Sequence, residues 1–559
     1  MHASAREMAT NPLNHSYHKQ FLPANDTAQE SAYQVSFAVL PFDGVAVSPG
    51  QSQDAVLPDI INASQSCQGQ FAALPQEVED LILKYLFAED QKNLRSVSKH
   101  FEEGATKQLF REVALWTSAS SAARLQAVMA HPILAGLVKE IKLYAFVMSE
   151  ESSLNEEPVS RYRQSLQLRK RGRDTASHVQ ELQEEKRRFE SFLSKLRVLR
   201  NLEGIFINFS KSYDVARAVP AMPAEKTFRH ERMTKIFEAL HLHGFKLRKL
   251  FIRHLMNFAD EVLVASEAFK EVALSQLEEL HLKVTQQPYC EVVNGQPDNR
   301  TNWLAVFYPY LLFEWIAPAS AHLTSLSLYS DDLWGLIPGH SWTGLHFPRL
   351  KSLKLGNYHI GHDDQFDWVL AQTTLKELVL HNCAMFYQMC IRRDDMSAWN
   401  ISTRDWVLLP DTSTPEYAHY KYHGRWADCF RKVHLRLQLT SFKLDCSNED
   451  DEVDPELTSQ LGVHLSSNRY TNFLFRDFHF EDLETVVDGD TDPNTQPLAE
   501  PVSGDFFSGL SPVPHDADPN RFGIHDYHCY THNSDFTALT LLDEAVKERA
   551  RQERARRDR

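Results

Sequence analysis

Cysteine is scarce in this 559-residue chain: there are seven, at positions 67, 290, 383, 390, 429, 446 and 529. They are odd in number and scattered, which excludes a disulfide framework and suits a reducing compartment. No run of 18 apolar residues occurs, and the N-terminus lacks the apolar core of a secretory signal. A soluble, intracellular protein is expected, cytoplasmic and/or nuclear. Basic residues are in deficit, 59 Lys and Arg against 75 Asp and Glu, for a net charge of −16. That argues against nucleic acid as a general partner, because phosphate contacts need concentrated cations, and no membrane partner is expected either.

Motifs that carry chemistry are also missing. There is no Walker loop, no G-x-G-x-x-G and no H-E-x-x-H. Gly339-His340-Ser341-Trp342-Thr343-Gly344 approaches a nucleophile elbow, but Thr343 stands where glycine must make the turn. His525, Asp526, His528, Cys529 and His532 gather like metal ligands. No paired cysteines elsewhere complete a tetrahedral set, so a polar loop is expected there. Neither catalytic residues, nor a metal, nor a cofactor follows from the sequence.

What is present is a hydrophobic content of 43%, ample for a large core. Residues 1–68 are rich in Ser, Ala, Gln, Asn, Asp and Pro and read as a disordered leader. Residues 69–117 read as three short helices. Pro75 suits a first helical turn, Glu77, Glu79 and Asp80 complement the helix dipole, and Asp90 caps the second helix. Val78, Leu81, Ile82, Tyr85 and Leu86 recur on one face, followed by Leu94, Val97 and Phe101 on the second and third segments. So short a segment cannot bury all this apolar surface alone, and part of it should meet another protein.

From residue 118 to 446 a phrase Leu-x-x-Leu-x-Leu recurs. It begins at Val138, Leu202, Leu247, Leu277, Leu323, Leu350, Leu375 and Leu439. The pattern predicts an α/β repeat of leucine-rich type, with the last two apolar residues of each copy turned inward on a short strand. Alternation then places Lys249, Phe251, Arg253, His281, Lys283, Tyr329, Lys354 and His381 on the open face, as candidate target contacts. Uneven spacing implies insertions: a basic amphipathic helix over 161–200, and a long loop over 387–431 that ends in a helix. Asn357 and Asn382 stand near the asparagine usual in such repeats. Residues 447–559 read as acidic loops and a C-terminal helix.

Leu74-Pro75-x-Glu77-Val78, Ile82, Leu86, Asp90, Leu94-Arg95-x-Val97-Ser98-Lys99 and Leu109-Phe110 together resemble the F-box. Many F-boxes carry Trp after the Val-Ser-Lys triplet, where this chain has His100-Phe101. The whole resembles F-box receptors with irregular leucine-rich arrays, the fungal ones in particular. The fold implied is a three-helix F-box followed by an irregular leucine-rich-repeat solenoid with long insertions. The function implied is a non-catalytic substrate receptor of an SCF-type cullin ubiquitin ligase. Leu74, Pro75, Val78, Ile82, Leu86, Leu94, Val97 and Phe101 would dock a Skp-type adaptor, and through it a cullin, while the array holds a protein target. The competing expectation is a protein-binding scaffold with no link to ubiquitination.

Overall fold

In the computed structural model, the described residues are 74–116, 118–145, 175–209, 222–285, 306–336, 342, 344–393, 396, 401–409, 417–445, 462–465, 469–474 and 524–558. The leader expected over 1–68 lies outside them, as does the basic run Arg169–Arg173.

The apolar face at the start of this region forms helix α1, Gln76–Tyr85, with Glu77 and Glu79 in its first turn. Pro75 stands just outside, at the cap, where its missing N–H breaks no helical bond. Helix α2, Ala88–Val97, starts earlier than the sequence suggested, so Asp90 lies in its first turn instead of capping it. Helix α3, Lys99–Arg111, then runs straight into strand β1, Glu112–Leu115. Next come α4 (Ala119–Ala130), α5 (Pro132–Leu137), β2 (Glu140–Ala145), α6 (Thr175–Leu193) and β3 (Gly204–Phe209). Helix α7 (Met222–Leu242), β4 (Lys249–Met256), β5 (Glu279–Thr285), β6 (Ser325–Trp334), β7 (Ser352–Ile360) and β8 (Glu377–His381) follow. The chain continues through β9 (Ala384–Arg392), β10 (Trp406–Leu408), β11 (Tyr417–Tyr422) and α8 (Trp426–Arg436). It ends with β12 (Ser441–Asp445), β13 (Tyr470–Leu474) and α9 (Ile524–Arg557).

These strands make one 13-stranded sheet among the described residues. Strands β1 to β8 pair in chain order, all parallel, and β12 adds in parallel beside β8. Each Leu-x-x-Leu-x-Leu phrase ends on one of these strands, and its apolar positions share a register. Ile141, Ile205, Leu250, Leu280, Leu326, Leu353 and Leu378 lie side by side on successive strands. All are buried in the main core.

The fold class nonetheless differs from the expected one. It is an α/β fold on a mostly parallel, mixed sheet, not a three-helix F-box module followed by a leucine-rich-repeat solenoid. Two findings carry the correction. The helices are continuous with the sheet: α3 passes into its first strand, and Lys139 N–H donates to the Arg111 carbonyl at 2.8 Å. The sheet is also no uniform stack, because it forks at β7. The first half of β7 pairs β8, while His359 and Ile360 pair β9, which pairs β11 antiparallel, and β11 pairs β10 antiparallel.

The loop insertion expected over 387–431 is likewise corrected, since most of β9 and all of β10 and β11 lie within it. Its aromatics are core residues: Tyr387, Trp406 and Tyr422 are buried. Helix α6 belongs to the stretch expected to be a packed amphipathic helix, and it buries Phe189, Phe192 and Leu193. Strand β13 falls in the part read as acidic loops, and His525–His532 is helix, not a polar loop.

Candidate functional site

Two surfaces of this fold stand out. The first is α1. Its inner side is pinned to α3: Leu83 is fully buried, and a Cβ added at Gly104 would come within 2.7 Å of it. Glu79 meets His100 at 2.6 Å, and Gln91 donates to the Leu83 and Leu86 carbonyls at 2.7 and 3.0 Å. Gln91 thus satisfies acceptors that the end of α1 leaves open. The outer side is apolar and uncovered. Val78, Leu81 and Ile82 are exposed, Tyr85 is 78% exposed and Phe87 81%. Among the residues predicted to dock an adaptor, Pro75, Val78 and Ile82 lie on the exposed side. Leu74, Leu86 and Leu94 are half-buried, and Phe101 is in the core. Val97 ends α2, and its side chain lies outside the described residues. Phe87 was missed, although its place at the mouth of α2, five residues beyond Ile82, continues the apolar stripe.

The second surface is the sheet face opposite the leucine core. A central row runs across it in register: Lys142, Phe206, Phe251, His281, Ser327, Lys354, Val379 and Lys443. Phe206 stacks on Phe251 at 5.9 Å, Phe251 on His281 at 4.2 Å, and Lys142 sits over Phe206 at 5.4 Å. Beside it runs a second row in register: Glu112, Glu140, Gly204, Lys249, Glu279, Ser325, Ser352 and Glu377. Lys142 pairs with Glu112 at 3.1 Å, and Lys249 lies 3.3 Å from Glu140 and 3.2 Å from Glu279.

Alternation therefore brings Lys249, Phe251, Arg253, His281 and Lys354 to one half-exposed face. It fails as a guide to exposure at three positions. Lys283, Tyr329 and His381 are buried, at 1%, 1% and 2% exposed. Lys283 reaches Asp331 at 3.6 Å. Tyr329 lies over Gly356, where any Cβ would come within 2.2 Å of its ring, and its edge meets His381. These three are framework residues of the face, not exposed contacts.

Electrostatics separates the members of the central row. Burial, then the charges of Lys354 and Lys249, push His281 down to about 3, so it is neutral across the physiological range. Burial also lowers Lys354, with Lys443 acting in the same sense and Glu377 opposing it. Among the described residues, no group of three or more His, Cys, Asp and Glu side chains is placed to hold a metal. No helix among them is long and apolar enough to cross a membrane.

No protein-family model matches the chain, and no curated protein matches it. What fold and surfaces define together is an α/β protein with an apolar helical patch at its N-terminal side and a patterned, polar sheet face.

Proposed function

We propose that this chain is the target-binding, non-catalytic subunit of an SCF-type cullin ubiquitin ligase. In this reading α1 to α3 dock a Skp-type adaptor and through it a cullin, in the cytoplasm or nucleus, and the sheet face holds a protein target. Ubiquitin transfer belongs to the partner enzymes, and this chain contributes proximity. The support is one observation above all: α1 is locked on its inner side while Val78, Leu81, Ile82, Tyr85 and Phe87 remain exposed. A contiguous apolar patch on a pinned helix marks an interface, because lone exposed apolar residues are common and clustered ones are not. The motif residues Leu74-Pro75-x-Glu77-Val78 and Ile82 supply the F-box resemblance at the same place.

The test is capture of a purified Skp-type adaptor by the full chain and by Val78→Ala, Ile82→Ala and Tyr85→Ala variants. Interface anchors of this kind cost about 2 kcal/mol or more on truncation, roughly thirtyfold in affinity. The exposed positions leave thermal stability within about 0.5 kcal/mol of the parent. Absence of capture by the wild-type chain, or undiminished capture by the triple variant, refutes the ligase reading and leaves a binding scaffold.

A further inference from the structure

Helix α9 outruns the body it packs on. Its inward stripe buries Asp535, Ala538, Leu539, Leu542 and Val546. Among the described residues, the last to hydrogen-bond back to the body is Arg549. Its guanidinium donates to the Leu439 carbonyl at 3.5 Å and to the His434 carbonyl at 3.4 Å. The helix then continues from Ala550 to Arg557, about two further turns that project ~12 Å at ~1.5 Å per residue. Arg551, Arg554, Arg556 and Arg557 are all exposed. No side chain after Val546 is apolar and larger than alanine. These turns therefore pack on nothing, and they have no apolar face to insert into a bilayer. Their helicity comes from within, since Ala, Arg, Gln and Glu are strong helix formers. Arg551 pairs with Glu548 at 3.2 Å, Arg557 pairs with Glu553 at 3.0 Å, and Gln552 donates to Glu548 at 2.9 Å.

The charge of this projection is opposite to that of the chain. From Arg549 to Arg557 there are five arginines against one glutamate, in a protein of net charge −16. Every one of these cations is arginine, whose planar fork matches a phosphate with two parallel hydrogen bonds. Arg554 and Arg556 make no ion pair among the described residues, and the pairs of Arg551 and Arg557 are exposed. Exposed pairs of that kind are worth about 1 kcal/mol or less, so both side chains can turn to a stronger anion.

The placement of the arginines selects among anions. Arg556 stands seven residues after Arg549, and Arg557 eleven after Val546, so both continue the inward stripe of the helix. Arg551 and Arg554 lie on the opposite side. A flat acidic protein surface reaches only one of these sides. A duplex groove carries phosphates on both walls, and the major groove of B-form DNA, ~12 Å wide, admits a helix ~10–12 Å across. The projection also exceeds the screening length of ~8 Å at physiological salt, which shields DNA at the tip from the acidic body.

We propose that the last two turns of α9 bind double-stranded DNA in its major groove, with Arg551 and Arg554 on the phosphates of one wall and Arg556 and Arg557 on those of the other. The contacts are to the backbone, so binding is independent of sequence and steeply dependent on salt. This site is separate from the α1 patch and the sheet face, and it does not rest on the ligase reading.

The experiment is fluorescence anisotropy of a labelled DNA duplex of mixed sequence, titrated with the full chain over a series of sodium chloride concentrations. A dissociation constant of about 10–100 μM is expected near physiological salt, with a slope of log K against log salt of about −3 to −4 for four phosphate contacts. Arg551→Gln with Arg554→Gln, and Arg556→Gln with Arg557→Gln, should each weaken binding about tenfold or more and reduce the slope by about 2. The corresponding Arg→Lys pairs keep the charges and should keep the slope. All four positions are exposed, so an unchanged unfolding temperature certifies each variant. Absence of binding at low salt, or binding that the combined fourfold Gln variant leaves unchanged, overturns the proposal. Loss confined to one of the two pairs marks a one-sided contact and overturns the groove. Tighter binding to polyglutamate or to duplex RNA than to the DNA assigns the helix to another partner and overturns it as well.

Discussion

Replacing Asp535 by Ala should release the C-terminal helix from the sheet. Asp535 is 0% exposed, and its carboxylate accepts from Arg469 Nε, from the Tyr470 hydroxyl and from the Ala427 N–H, each at 3.0 Å. Arg469 also donates to Thr531 Oγ1 at 3.2 Å, and Trp426 Nε1 donates to the Arg469 carbonyl at 2.7 Å. One carboxylate therefore joins α9, β13 and the first turn of α8, where Ala427 is an amide with no helical acceptor. Arg469 is 4% exposed, so the substitution strands a buried guanidinium and opens a tyrosine hydroxyl and an amide as well. Breaking a buried pair in this way costs about 3–5 kcal/mol. A chain of this length unfolds in stages, so the loss is best read locally, by hydrogen exchange along Thr531–Val546. Exchange there should accelerate roughly 150-fold to 4000-fold, the same free energy expressed as an opening constant. A double variant, Arg469→Met with Asp535→Leu, removes both charges and should recover much of the protection. Exchange within about threefold of wild type in Asp535→Ala would refute the idea that this carboxylate anchors the helix.

Other consequences follow from single positions. Leu353→Ala empties a fully buried site between Leu326 and Leu378 and should cost about 2–5 kcal/mol in a denaturant titration. Asn357 has a φ of 56° and donates from Nδ2 to the buried Ser330 carbonyl at 2.6 Å. Asn357→Ala loses that bond and strains the backbone, for about 1–3 kcal/mol, while Asn357→Gly relieves only the strain, so the Ala-to-Gly difference in unfolding midpoint measures it. His359 is buried and pushed down to about 4. Its folded value is depressed, so the unfolded chain takes up a proton first as pH falls through about 6.5, and stability declines between there and about 4 by roughly 3 kcal/mol. His359→Gln should flatten that slope in stability measured against pH, and an unchanged slope would assign it to other groups.

The parts of the fold visible in the sequence were those in which one periodicity controls one face. In Leu277-x-x-Leu280-x-Leu282 and its seven counterparts the apolar spacing marks strands, because each strand buries its last two apolar residues on one face, with the residue between them on the other. Periodicity failed where both faces are covered. In β9, Met385, Phe386, Tyr387, Met389 and Ile391 are all buried, so alternation vanishes and the stretch reads as an aromatic-rich loop. Antiparallel pairing of β9 with β11 is not marked locally either, since the partner lies across a long segment whose turn-formers, Pro410-Asp411-Thr412-Ser413-Thr414-Pro415 among them, read as part of one loop. The same limit hid the fork at β7. Its second half, Tyr358–Ile360, is buried throughout, and nothing local records that its neighbour changes from β8 to β9.

On neither candidate surface does exposure follow from the pattern alone. On α1 the apolar spacing marks one stripe, yet the side that packs inward is set by Leu83 and Glu79, and Val78, Ile82 and Tyr85 lie on the exposed side. On the sheet, alternation settles the direction of a side chain but not what covers it. Lys283 and Lys354 both lie on the face opposite the leucines, yet the first is 1% exposed and paired with Asp331, and the second is half-exposed, acted on by Glu377, Lys443 and Glu279. The difference comes from their neighbours across the strands: Lys283 lies opposite Tyr329 in register, whereas Lys354 lies between Ser327 and Val379, two short side chains. A row of register partners, and not the periodicity of any one strand, decides which side chains of this face are covered.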